Sequence, residues 1–160
     1  MNHVKHEFDK VIFKDSKILI LGSIPSVSSR KKHFYYMNPN NRFYKVLATL
    51  IDNEFLDENI DKKIELLKKH HIALYDVIEE CDINNSSDSS IKNVTPANIN
   101  KLIDGTSISK IYINGKKAYE LFVKYNKELI DIATLLPSTS SANASYSLEK
   151  LIDNWKVIKL

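Results

Sequence analysis

Three short stretches hold side chains whose types and spacing could do chemistry. Tyr35-Tyr36-Met37-Asn38-Pro39-Asn40-Asn41-Arg42-Phe43-Tyr44 crowds aromatic rings and carboxamides into a loop just before a helical pattern. Aromatic faces exposed in a loop are what a protein needs to stack a planar base. The competing reading packs Tyr35 and Tyr36 under a sheet edge and leaves Asn40 as a helix cap. Leu135-Leu136-Pro137-Ser138-Thr139-Ser140-Ser141-Ala142-Asn143-Ala144 is small and polar. Its short side chains let a nucleic-acid backbone come close, and its hydroxyls and amides can hold phosphate oxygens, unless it is a plain serine-rich loop. Gly22-Ser23-Ile24-Pro25-Ser26 is defined by what it lacks. It has neither the phosphate-loop spacing, nor the further glycines of a dinucleotide fingerprint, nor the Gly-x-Ser-x-Gly elbow of hydrolases. Taken alone it is a strand that ends in a tight turn.

Other chemistries find little support. Cys81 is the only cysteine, so no intramolecular disulfide can form and no zinc site follows from the usual Cys spacings. His70-His71 and the pair His3 and His6 lack an HExxH pattern, and adjacent histidines on a helix point different ways, so no metal is expected. Asp76 and Asp88 are read first as structural, a strand-end residue and a loop cap, and no clear pair of glycosidase-type carboxylates emerges. The net charge of +3 permits nucleic acid without demanding it. Arg30 and Arg42 are the only arginines, so bidentate readout of guanine edges by a set of arginines is not expected. Lys31-Lys32 and Lys116-Lys117 read as solvated faces that could also neutralise phosphates. No apolar run approaches the roughly 20 residues of a membrane span, the first 17 residues lack a signal peptide's apolar core, and a reducing cytoplasm is the expected setting.

The elements that must position these stretches follow from periodicity. Lys17-Ile18-Leu19-Ile20-Leu21-Gly22 reads as a parallel strand buried on both faces, and shorter apolar runs recur at 72–78, 111–113 and 132–136. Between them lie one-sided helical patterns around Phe43 to Ile51, Ile60 to Leu67, Ala118 to Tyr125 and Leu148 to Trp155. Thr95-Pro96 suggests a helix start with Ile99, Leu102 and Ile103 on one face, and 82–90 a long surface loop. Alternation of strand and helix over 160 residues predicts a single domain, a three-layer α/β/α sandwich around a mostly parallel sheet of about four strands. Open parallel sheets bind ligands at the carboxyl ends of their strands, where the loops 22–41, 79–91 and 137–145 should converge with Asn114-Gly115.

Taken in order, the motifs resemble the uracil-DNA glycosylase superfamily, and most nearly its hypoxanthine-DNA (deoxyinosine) branch. Gly22-Ser23-Ile24-Pro25 with Ser28 is similar to the first motif, and Tyr35-Tyr36-x-x-Pro39-x-Asn41-x-Phe43 to the stretch behind it. Asp88-Ser89-Ser90-Ile91, Asn114-Gly115 and Leu136-Pro137-Ser138-Thr139-Ser140 through Ala142-Asn143-Ala144 continue the series. The chain departs from the pattern with Asn38 where relatives often have His, Tyr44 for Trp, Ser26 for Gly and Ser141 for Pro. Ile24 stands where mismatch-specific uracil glycosylases have a catalytic Asn, and the Ser138 region lacks the His of classical uracil glycosylases.

The resemblance implies a monomeric, cofactor-free DNA glycosylase that hydrolyses the N-glycosidic bond of a flipped deaminated base, hypoxanthine first. It implies Asn41 as the catalytic residue, orienting a water through its carbonyl oxygen. Gly22, Ser23, Ile24, Pro25, Tyr36 and Asn114 would hold the base, and Pro137, Ser138, Thr139, Ser140, Ser141, Ala142 and Asn143 would meet the DNA. Uracil or mismatched bases remain the alternative substrates, and a non-catalytic module that binds a nucleotide or single strand the alternative class.

Overall fold

The computed structural model describes residues 1–159. Strand β2 (Ile18–Gly22) is buried at every position because it lies between two parallel neighbours, β3 (Ile72–Asp76) and β6 (Lys110–Asn114). With β7 (Ala133–Leu136) outside β6 they form a four-stranded parallel sheet of order β3-β2-β6-β7. Successive residues of β2 feed opposite cores, as the two-residue period of a strand requires. Ile18 and Ile20 pack with α2 (Phe43–Leu50), α3 (Ile60–Lys69) and α6 (Leu148–Trp155). Leu19 and Leu21 pack on the other side with α4 (Ile99–Ile103) and α5 (Lys116–Tyr125). The result is the expected three-layer α/β/α arrangement, and a short helix α1 (Val27–Lys32) sits in the first connection.

A second sheet was not expected. β1 (Asn2–Lys5), β4 (Ile78–Ile83) and β5 (Lys92–Pro96) pair antiparallel in the order β1-β4-β5 and pack Val4, Ile78, Cys81 and Ile83 into the second core. The single strand expected over 72–78 is therefore two strands. Val77 is the joint: its N–H donates to the Gly22 carbonyl at 2.8 Å while its own carbonyl accepts from Ala97 N–H at 2.9 Å. Much of the expected 82–90 loop remains loop, but its first residues Asp82 and Ile83 belong to β4. Thr95-Pro96 ends strand β5 instead of starting a helix. Asn98 is the cap of α4, its carbonyl oxygen accepting from Lys101 N–H at 3.1 Å, and Pro96 sits on an edge strand where a missing N–H is tolerated.

Register decides where the chemistry can be. Gly22 is opposite Asp76 and Asn114 opposite Leu136, so the four parallel strands end level, and each end releases a loop at the same edge of the sheet. No helix among the described residues is long and apolar enough to cross a membrane.

Candidate active site

The four level strand ends open into a cavity of about 130 Å³. Its walls combine the turn after β2, the segment from Tyr35 to Asn41, the loop after β7, and the strand-end residues Asp76 and Asn114. Nothing in this wall is a strong base in the ordinary sense: carboxamides, hydroxyls and main chain dominate, with Asp76 and Asp88 as its carboxylates.

Asn41 is held by an ordered run of hydrogen bonds. Asn114 Nδ2 donates to Thr139 Oγ1 at 3.0 Å, and Thr139 Oγ1–H donates in turn to Asn41 Oδ1 at 2.8 Å. Asn41 Oδ1 also accepts from Phe43 N–H at 2.9 Å, which fixes the amide because a main-chain N–H needs an oxygen opposite it. The carbonyl oxygen expected to hold water thus already serves two donors. The Nδ2 group is the end of Asn41 left for the cavity.

Both arginines of the chain are loop clamps. Arg42 donates through its guanidinium to the carbonyls of Thr139, Ser140, Asn143 and Tyr146, and its N–H donates to Thr139 O at 3.0 Å. Arg30 reaches Pro25 O at 2.7 Å and Asn85 O at 2.9 Å, joining the turn after β2 to the 84–86 loop. A planar fork can serve several carbonyls at once and an ammonium cannot. Arg42→Lys is therefore expected to lower stability by about 1–2 kcal/mol, read as a fall in Tm, through carbonyls left without donors. An unchanged Tm would remove the clamp from the account.

Tyr36 has a left-handed backbone (φ 57°), a costly conformation for a bulky residue and one that concentrates at functional sites. Its ring stacks on Phe43 with centroids 3.9 Å apart. Its hydroxyl is buried with no hydrogen-bond partner among the described residues, and burial together with the Asp76 charge pushes it well above the usual phenol range, so it stays protonated. Asp76 is 4% exposed and its Oδ2 lies 2.9 Å from Nε2 of the enclosed His6. Asp88 Oδ1 accepts from the Ser23 hydroxyl at 3.0 Å, and desolvation raises its carboxyl above the ordinary value against the pull of Ser23 and Lys117.

Residues 10–159 match the profile of the uracil DNA glycosylase superfamily. The chain belongs to that superfamily. It is 32% identical over 145 residues to a hypoxanthine DNA glycosylase of Methanosarcina acetivorans, covering 90% of this chain and 91% of the relative. A hypoxanthine DNA glycosylase of Methanosarcina barkeri is 33% identical over 117 residues, 72% of this chain and 74% of the relative. The solution NMR structure of a candidate uracil DNA glycosylase from Methanosarcina acetivorans superposes with a TM-score of 0.79 at 31% identity, covering 94% of this chain and 93% of that one.

Within this superfamily frame, the cavity brings together Gly22, Ser23, Ile24, Pro25, Tyr36, Asn41, Asn114, Ser138, Thr139, Ser140 and Ser141. Pro137, Ala142 and Asn143 are not in its wall. Pro137 offers its carbonyl to Trp155 Nε1 at 2.9 Å, and Asn143 Nδ2 donates to Ser138 O at 3.0 Å, so both brace the loop. Thr139, expected to face DNA, has no exposed surface and spends its hydroxyl on Asn41: it is a strut. Tyr35 is core, 2% exposed with its hydroxyl on Asp9 O. Three residues at or beside the cavity were not expected there. Arg42 carried a signal, one of only two arginines placed beside the key amide. Asp76 and Asp88, both expected to be structural, line the cavity.

Proposed function

We propose that the protein is a DNA glycosylase that removes hypoxanthine from deaminated DNA and leaves an abasic site. The observation that carries this reading is the oriented amide of Asn41 in a cavity walled by Tyr36, in a chain 32–33% identical over the aligned residues to two hypoxanthine DNA glycosylases. A base inside a duplex shields the sugar C1′ and must first swing out, at a cost of a few kcal/mol that is least for a poor pair such as hypoxanthine with thymine. One face of Tyr36 is taken by Phe43, and the opposite face suits the extruded ring.

Asn41 Nδ2 would then donate to a water, fixing its oxygen with the second lone pair toward C1′. As the N-glycosidic bond breaks, the electron pair leaves with the base, the water adds to C1′, and its proton passes to the departing anion. Positioning and electrostatics supply the acceleration, because an amide cannot take a proton itself. The exposed tip, Ser141 and Ala142, suits contact with the duplex, since the Arg42 clamp fixes the main chain beneath it.

Duplexes carrying deoxyinosine or deoxyuridine, incubated with the protein and then treated with alkali, test the reading. Breaks at inosine faster than at uracil are expected. Breaks at uracil alone would reassign the substrate, and retention of DNA without breaks would make the protein a binding module. Tyr36→Ala is expected to weaken capture of the extruded base by about 1–3 kcal/mol, seen as a raised half-saturation in single-turnover excision. Unaltered excision would contradict the stacking role.

A further inference from the structure

We propose that Asp76, held by His6, is the residue by which the pocket tells a deaminated base from its parent, its free carboxyl oxygen accepting the ring N–H that deamination creates. This rests on the base-excision reading above and specifies what the pocket reads. Asp76 ends β3 on the cavity wall, and among the described residues only one of its oxygens has a hydrogen-bond partner. Oδ2 lies 2.9 Å from His6 Nε2, while Oδ1 stands 2.7 Å from the point where a side chain on Gly22 would begin.

The proton inventory follows from geometry. His6 Nδ1 lies 3.2 Å from the Phe8 carbonyl oxygen, which can only accept, so Nδ1 carries a hydrogen. The contact from Nε2 to Oδ2 then needs one further proton between two lone pairs. Whether that proton sits on nitrogen or on oxygen, the pair is neutral as a whole and Oδ1 is an acceptor. Two consequences matter for the chemistry. The Asp76–His6 pair sets no net negative charge against a base departing as an anion, and it offers an oxygen that attracts an N–H and repels a lone pair.

That oxygen sorts bases by their history. Adenine and cytosine present a bare ring nitrogen beside an amino group, whereas hypoxanthine and uracil present N–H beside a carbonyl. Asn114 Nδ2 keeps one N–H beyond the one spent on Thr139, a donor of the right kind for that carbonyl. A site built to hydrogen-bond a polar edge rejects an analogue lacking it by far more than an apolar pocket rejects a methylene, because its own groups are left unpaired.

Asp76→Ala removes the acceptor outright and leaves His6 neutral, with its Nδ1 hydrogen on the Phe8 carbonyl. Single-turnover excision of hypoxanthine is expected to fall about 10- to 100-fold, with affinity for a duplex bearing a tetrahydrofuran abasic analogue unchanged. A second measurement needs no variant. A duplex carrying 1-methyl-deoxyinosine keeps the carbonyl and loses the N–H, and the parent protein is expected to excise it on the order of a hundredfold more slowly than inosine. That penalty should shrink to a few-fold in Asp76→Ala. Equal excision of inosine and 1-methylinosine by the parent protein would overturn the assignment, as would an Asp76→Ala protein of lowered Tm that still excises hypoxanthine at the parental rate. A parent protein inert toward both inosine and uracil would instead overturn the base-excision reading, and this assignment with it.

Discussion

Asn41→Ala is expected to lower the single-turnover rate of hypoxanthine release by about a hundredfold, the usual consequence of deleting one preorganised polar group from an active site. The difficulty is that Asn41 is also structural. Its oxygen accepts from Phe43 N–H at the start of α2 and from the Thr139 hydroxyl, so alanine leaves two donors unserved and is expected to cost about 1 kcal/mol of stability as well. Asn41→Asp separates the two roles. A carboxylate still accepts from both donors, so Tm should stay near the parental value, but it has no N–H to hold a water oxygen. The rate should fall as far as in the alanine variant. If Asn41→Asp retained parental excision, Nδ2 would have no part in the reaction. If both variants lost rate only in proportion to lost folded protein, Asn41 would be a loop anchor and nothing more.

How far such a site can be read from sequence depends on which physical signal each residue leaves. The parallel sheet was legible because strands buried on both faces, such as Ile18–Gly22, are continuous apolar runs. The antiparallel sheet was not. Its strand Ile78–Ile83 has one wet face, so Glu79, Glu80 and Asp82 alternate with buried Ile78, Cys81 and Ile83 and read as the start of a polar loop. Within the site, the turn after β2 and the loop after β7 were placed at the sheet's carboxyl edge by strand order alone. Which side chains face the cavity was not available, since Thr139 and Ser141 have the same chemistry in sequence and opposite exposure in the fold. Long-range pairs left no trace either. Asp76 and His6 are 70 residues apart, and only β1 pairing with β4 brings the histidine under the pocket.

Gly22→Ala is expected to cost more than a hundredfold in excision and about 1–3 kcal/mol of stability, in the manner of overpacking a fixed site. The reason is space, not backbone freedom. A Cβ at Gly22 would lie 2.7 Å from Asp76 Oδ1 and 3.2 Å from the Tyr36 hydroxyl oxygen. None of the neighbours can give way cheaply. β2 is paired on both sides and cannot retreat, Asp76 is tied through Oδ2 to a buried histidine, and Tyr36 is stacked on Phe43. To relieve the contact the Asp76 carboxyl must swing, and this would both break its bond to His6 and move an oxygen into the space that base and water share. Gly105→Ala is the control for the opposite cause: φ is +76° there, so alanine is strained, but nothing lies within 4 Å of its Cβ. It should cost about 1 kcal/mol and leave excision per folded molecule untouched. Equal losses in the two variants, measured as rate per folded protein, would mean that the closeness of Gly22 to Asp76 has no role in the chemistry.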